Sequence, residues 1–355
     1  INDHQAGHSL DNDSDSGWVT SDDVDEGYKP LPEEFASLIQ DDLTGNCPTY
    51  QALLDFTRKA SPRSLDLFRV GAAINTLSTL AAGRLSIKLT AKGTLTDFYI
   101  LNCATSSIYS KSEAMSVQEV VLEKLGLDFL RLPSHLSPSR LFSKMNPVNL
   151  DLIDDFDERE RQYSANLFAG QRSFFFDEMG GKIEAIIDGR NGEADWSRLL
   201  REFRSYPKQI EHSTNTHGDR IIYSPYLTLI GNSTPSDFWV MDRKKLQKMK
   251  GDGFWARFWF ATPSESDSPK HAITYEIGDP PAILIKQLRA FFDSLPLPKD
   301  QKRYPRLTIT LADDVKQLHN QLDEHLFYYK SDTPTVETKL CSTCSKCGST
   351  GWLVR

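Results

Sequence analysis

The sequence predicts an α/β domain with a mostly parallel sheet, and three observations carry that prediction. Nearly continuous apolar runs, rich in β-branched and aromatic residues, recur at 96–104, 172–176, 226–230 and 255–261. Runs without a polar alternate position suit strands covered on both faces, as parallel strands are. Segments with helical spacing separate these runs, the order that a parallel sheet with crossover helices requires. The first run is also followed by a loop, a Lys-Ser pair and a helix, a layout with its own chemistry.

Composition bounds the rest. The chain has 355 residues, 41 Lys+Arg against 49 Asp+Glu, a net charge of −8 and 39% hydrophobic residues. Collagen-like, coiled-coil and wholly disordered readings fail on these values. The longest apolar runs fall far short of a membrane span, and no basic, apolar-cored leader opens the chain. The acidic balance argues against a surface coated in positive charge for nucleic acid, while leaving room for a ring whose DNA contacts are confined to pore loops. Five cysteines, three of them together near the end, are too few for a disulfide scaffold, so the cytoplasm is the expected compartment. The first residue is Ile1, which reads as a piece of a longer protein.

Taken in order, residues 1–30 hold eight acids against Lys29 and read as a flexible acidic arm. Residues 31–83 show helical periodicity, ending in an Ala-rich helix before Gly83. Residues 84–265 form the predicted core: strand 96–104, helix 113–124, strand 172–176, strand 226–230, a basic helix around 243–250, and strand 255–261. Residues 266–330 read as a small extension of helix 283–292, strand 307–311 and helix 313–328, and 331–355 as a tail. The stretch 212–220 is read as a polar loop.

The strand–loop–Lys-Ser–helix order is that of a phosphate-binding loop. In G-x-x-x-x-G-K-[ST], backbone N–H groups and the helix N-terminus hold phosphates, the Lys reaches the β/γ-phosphates and the hydroxyl ligates Mg²⁺. Thr105, Ser106, Ser107, Ile108, Tyr109, Ser110, Lys111 and Ser112 keep the Lys and the Ser but place Thr105 and Ser110 where the glycines belong. Glycine matters there because the loop needs positive φ and close backbone approach. A chance Lys-Ser after a strand is the plain alternative. The strand at 172–176 ends in Asp177 and Glu178, suited to a Mg²⁺ shell and to polarising an attacking water; a helix-capping Asp is the alternative. Asn232, at the tip of the third strand, is the candidate sensor of a γ-phosphate, or an ordinary turn residue. Arg257 is a cation among aromatics, costly unless paired. It is either an arginine finger acting on a neighbour's nucleotide or a structural ion pair.

Two further clusters stand apart. Arg243, Lys244, Lys245, Lys248 and Lys250 pack five cations into eight residues, either a solvated helix face or a phosphate-contacting surface. Cys341, Cys344 and Cys347 give overlapping C-x₂-C spacings, half of a Zn²⁺ ribbon with His325 or a residue beyond Arg355 as fourth ligand, or an exposed tail.

Four stretches, FYILNCATSSIYSKSEAM, RSFFFDEMGG, SPYLTLIGNSTPSDF and GDGFWARFWFATP, resemble the helicase-like P-loop NTPases of phages, plasmids and integrated elements. That family is long catalogued as a domain of unknown function, often encoded beside or fused to a primase. The resemblance covers roughly residues 31–300. It implies a RecA/AAA-like P-loop NTPase core binding ATP and Mg²⁺, with Lys111, Ser112, Asp177, Glu178, Asn232 and Arg257 in the roles above. It also implies a homo-oligomeric ring, a hexamer, acting on single-stranded DNA. The chain departs from the family in its glycine-less phosphate loop, and a catalytically weak scaffold or DNA-binding adaptor is the competing expectation.

Overall fold

The computed structural model describes residues 47–89, 93–106, 108–188, 195–214, 218–239, 249, 253–263, 267, 278–300, 302 and 304–321. The acidic arm, the basic run except Met249, and the Cys341–Cys347 cluster lie outside them. Two helices open the described chain, α1 (Pro48–Ala60) and α2 (Asp66–Ala81). Strands β1 (Leu85–Ile87) and β2 (Thr94–Leu95) lead into β3 (Tyr99–Cys103) and helix α3 (Lys111–Lys124). Then come β4 (Arg131–Leu132), α4 (Pro138–Lys144), α5 (Phe156–Leu167), β5 (Gln171–Phe176), α6 (Met179–Asp188) and α7 (Asp195–Phe203). The rest is β6 (Gln209–Thr214), β7 (Gly218–Tyr223), β8 (Tyr226–Ser233), α8 (Pro235–Trp239), β9 (Phe258–Ala261), α9 (Ala282–Ser294) and β10 (Leu307–Ile309).

The chain is α/β, as predicted. Its principal sheet has five parallel strands in the order β4-β5-β8-β3-β9. All five residues of β3, six of β5 and eight of β8 are buried, which is why these runs lack polar alternation. Alternate residues serve two cores. Tyr99, Leu101, Phe174, Phe176, Leu227 and Leu229 face α4, α6, α7 and the β6–β7 hairpin. Ile100, Phe175 and Ile230 face α1, α3 and α9. Helix α7 shows how local sequence meets this demand: Trp196, Leu199, Leu200 and Phe203 recur at helical spacing and all are buried. Each such side chain stabilises the fold by about 1.5–3 kcal/mol.

Several elements differ from expectation. The polar stretch 212–220 is not a plain loop: residues 212–214 and 218–220 pair as the distal half of an antiparallel hairpin, β6 with β7. Ile210 and Ile222 pair across it and are fully buried, while His212 stacks on Phe142 at 4.5 Å. One wet face makes its alternation period-two and masks it as polar loop. The run at 255–261 is a strand only from Phe258; Trp255–Arg257 is a 3₁₀ turn. Strand β10, expected over 307–311, spans Leu307–Ile309 and pairs in parallel with β1 in a second sheet, β10-β1-β2. Arg84 explains part of that junction. Its fully buried guanidinium donates to the Leu80 and Leu295 carbonyls and lies 4.1 Å from the Phe292 ring. Among the described residues no helix is long and apolar enough to cross a membrane.

Candidate functional site

The strand order reverses between β3 and β8. From β3 the chain crosses to β4 on one side, and from β8 it crosses to β9 on the other. In open α/β sheets a ligand crevice forms at the carboxyl ends of strands at such a point. There the Ala104 N–H donates to the Ser233 carbonyl at 3.2 Å, joining the loops after β3 and β8.

Helix α3 starts at this crevice, with Lys111 as its first residue and Ser110 before it at φ 45°, ψ 48°. The left-handed backbone that a glycine would supply is therefore present, carried by a serine. Thr105, at the other glycine position, is not among the positive-φ residues, so only one of the two positions demands that conformation. Lys111 is 8% exposed and its Nζ donates to the Ala104 carbonyl. Burial holds its ammonium below the usual lysine range, opposed by the nearby Cys103, Asp237 and Asp177.

Three adjacent strands deliver the remaining groups. Ser112 Oγ donates to Asp177 Oδ1. Asn232 Nδ2 donates to the same carboxylate oxygen at 2.9 Å and lies 3.5 Å from Ser112 Oγ. Asn232 and Asn102 are register partners on β8 and β3, and Asn102 Nδ2 donates to Asn232 Oδ1 at 3.0 Å. Asp177 follows the last residue of β5 and is exposed, as are Glu178, Thr105, Ser106 and Ser112. Lys111, Ser112, Asp177 and Asn232, 121 residues apart at the extremes (232 − 111), thus share one site. Glu178 adjoins it.

Close backbone approach tightens the crevice. A Cβ on Gly231 would lie 2.9 Å from Met179 Cβ, so α6 packs directly on β8. A Cβ on Gly180 would lie 2.0 Å from Asp237 Oδ2. That oxygen accepts from the Thr234 N–H at 2.7 Å and from Ser233 Oγ at 2.8 Å, which ties the end of β8 to the first turn of α8, close against Gly180 of α6.

Asn102 and Asp237 escaped the motif reading although both stand in stretches that carry it. Asn102 is a lone amide inside an apolar strand, a legible oddity. Asp237 lies three residues after Thr234, capping-box spacing.

Arg257 is not at this crevice. It precedes Phe258, the register partner of Tyr99, so it lies at the amino ends of the strands. The length of β3, five residues, corresponds to about 16 Å, which rules out a contact within the same site. Its Nη1 donates to the Gly253 carbonyl, and burial, then Arg201 and Arg204, lower its pKa. The predicted ion pair with a carboxylate is replaced, among the described residues, by this carbonyl cap. Close by, Asp97 is buried against Arg204, Nη1 to Oδ2 at 2.9 Å, and accepts from Tyr206 OH at 3.0 Å. Burial pushes its carboxyl up despite that pairing.

Among the described residues no three His, Cys, Asp or Glu side chains cluster as a metal site. One carboxylate beside one hydroxyl still suits Mg²⁺, which keeps several waters and takes substrate phosphate oxygens in place of a full protein cage. No protein-family model and no curated protein sequence matches this chain.

Proposed function

We propose that the crevice binds a nucleoside triphosphate with Mg²⁺ and that the chain is a helicase-like P-loop ATPase. The observation that carries this reading is the direct hydrogen bond from Ser112, beside the lysine of the loop, to Asp177 at the end of another strand. Sequence alone only suggested that these residues meet. The N-terminus of α3 and residues 104–106 and 108–110 would face the phosphates, and the Lys111 ammonium would leave the Ala104 carbonyl for a phosphate oxygen. Ser112 and Asp177 would hold Mg²⁺, which when bound neutralises charge on the phosphates. Asn232 presents an N–H donor to the same point, and Glu178 is the candidate for orienting water.

The finer reading is an ATP-dependent DNA motor of a mobile element, cytoplasmic and acting as a homo-oligomeric, hexameric ring on single-stranded DNA beside a primase. It rests on the resemblance, the basic run 243–250 and the cysteine cluster, a Zn²⁺ candidate. Arg257, remote from its own crevice, is consistent with action only on a neighbouring subunit. A second reading, a nucleotide-binding scaffold without fast turnover, draws support from Ser110, whose side chain occupies a position that phosphate loops leave bare. ATP hydrolysis measured with and without single-stranded DNA separates the two. The motor reading expects stimulated hydrolysis that Lys111→Ala and Glu178→Gln abolish, with Glu178→Gln still binding ATP. Absence of ATP binding by the wild type, measured by calorimetry, would overturn both.

A further inference from the structure

We infer that Asn102 is a positioning residue that sets which way the Asn232 carboxamide points. An ionised carboxylate can only accept hydrogen bonds, so Asp177 Oδ1 requires the Nδ2 of Asn232, as observed at 2.9 Å. Asn232 Oδ1 must then point back into the sheet, where it needs a donor. Asn102, its register partner on β3, supplies one at 3.0 Å. Both amides are essentially solvent-free, at 0% and 2% exposure.

The arrangement has a cost that the rest of the strand avoids. With Nδ2 committed to Asn232, Asn102 Oδ1 lies near Gly71 on α2, 3.8 Å from where a Cβ would stand there, and has no partner among the described residues. An aliphatic residue would suit this buried strand position better, and a buried acceptor left unpaired calls for an explanation. The explanation is orientation. Without a donor at 102, Asp177 alone holds the Asn232 amide, and once that carboxylate turns to a ligand the amide is free to set its carbonyl oxygen against a phosphate oxygen in the crevice. With Asn102 in place, an N–H always faces the site. When Ser112 and Asp177 engage a ligand, that N–H passes to it without the amide having to turn.

The test uses the full chain and two variants. Asn102→Leu has no donor at any pH. Asn102→Asp is isosteric and conditional: protonated, it donates its O–H to Asn232 Oδ1, and ionised it can only accept, so it competes with Asp177 for the Asn232 Nδ2. Side-chain amide resonances of Asn232, assigned through their loss in Asn232→Asp, report this in the nucleotide-free protein. They should titrate in Asn102→Asp with a step that wild type and Asn102→Leu lack. Asp177, Glu178, Lys111 and Asp237, charged groups around the crevice, are common to all three proteins and are subtracted by that comparison. The second readout rests on the nucleotide reading. The preference for Mg-ATP over Mg-ADP should fall about tenfold in Asn102→Leu, the loss of one hydrogen bond to a charged group. In Asn102→Asp it should return at low pH. The inference is overturned if Asn232 in Asn102→Asp follows wild type at every pH. It is equally overturned if Asn102→Leu, folded by circular dichroism, keeps the full preference. If wild type shows no preference, the nucleotide reading fails alone and the resonances still decide the role of Asn102.

Discussion

Replacing Ser110 by glycine should stabilise the chain. Ser110 sits at φ 45°, ψ 48° just before α3, and its side chain makes no capping hydrogen bond, so removing it forfeits no polar contact. A left-handed conformation costs an L-residue about 1–2 kcal/mol through the contact of Cβ with the following carbonyl oxygen. Glycine escapes that contact but loses more freedom on folding, which returns about 0.5–1 kcal/mol to the unfolded state. The difference leaves a net gain of about 0.5–1 kcal/mol. Urea unfolding followed by circular dichroism should show a raised midpoint with an unchanged slope, the pattern of altered stability without altered compactness. Ser110→Ala is the control, because it deletes the hydroxyl and keeps Cβ, and it should show no gain. A lowered midpoint for the glycine variant, or an equal rise for alanine, would refute the account of backbone strain at this loop.

Three other outcomes follow from the geometry. Burial depresses the Lys111 pKa, so between that lowered value and the free lysine value of about 10.4 the folded state holds fewer protons than the unfolded one and stability rises with pH; below that window the full cost of the buried charge remains, so Lys111→Met should be more stable than wild type at neutral pH, with the two stabilities converging as pH rises through the window. Gly180→Ala places a Cβ 2.0 Å from Asp237 Oδ2 and should displace the carboxylate from Thr234, at about 1–3 kcal/mol. Gly181→Ala, which meets nothing within 4 Å, should be neutral or stabilising when the two variants are compared by thermal melts. Asp97→Ala strands Arg204, its partner at 2.9 Å, and should cost about 3 kcal/mol; a loss indistinguishable from zero by denaturant titration would mean that the pair contributes no net stability.

The strands of the principal sheet were legible because burial on both faces leaves a composition that helices and loops do not share. Arg172–Phe176 and Tyr226–Ile230 were recognised within a few residues of the observed β5 and β8. Strand β4, two residues long, and the half-wet β6–β7 hairpin carried too little apolar signal to stand out. Asp177 and Asn232 were each visible as polar residues at the end of an apolar run, since a strand leaving the core must meet water or a ligand there, and Lys111 and Ser112 through the order strand, loop, Lys-Ser, helix. Arg257 was visible as a charge among aromatics, but its depth along the strand was not.

Local pattern by itself therefore determined the class of fold, the succession of elements and the places where chemistry had to emerge from the sheet. It reports which residues avoid water, a property each short segment expresses alone. The order of strands, the reversal between β3 and β8, the hydrogen bond from Ser112 to Asp177 and the pairing of Asn102 with Asn232 were decided only by the tertiary structure. So was the removal of Arg257 to the far end of the sheet. Those facts depend on contacts between residues up to 130 positions apart, whose energies exist only once distant strands have found their register.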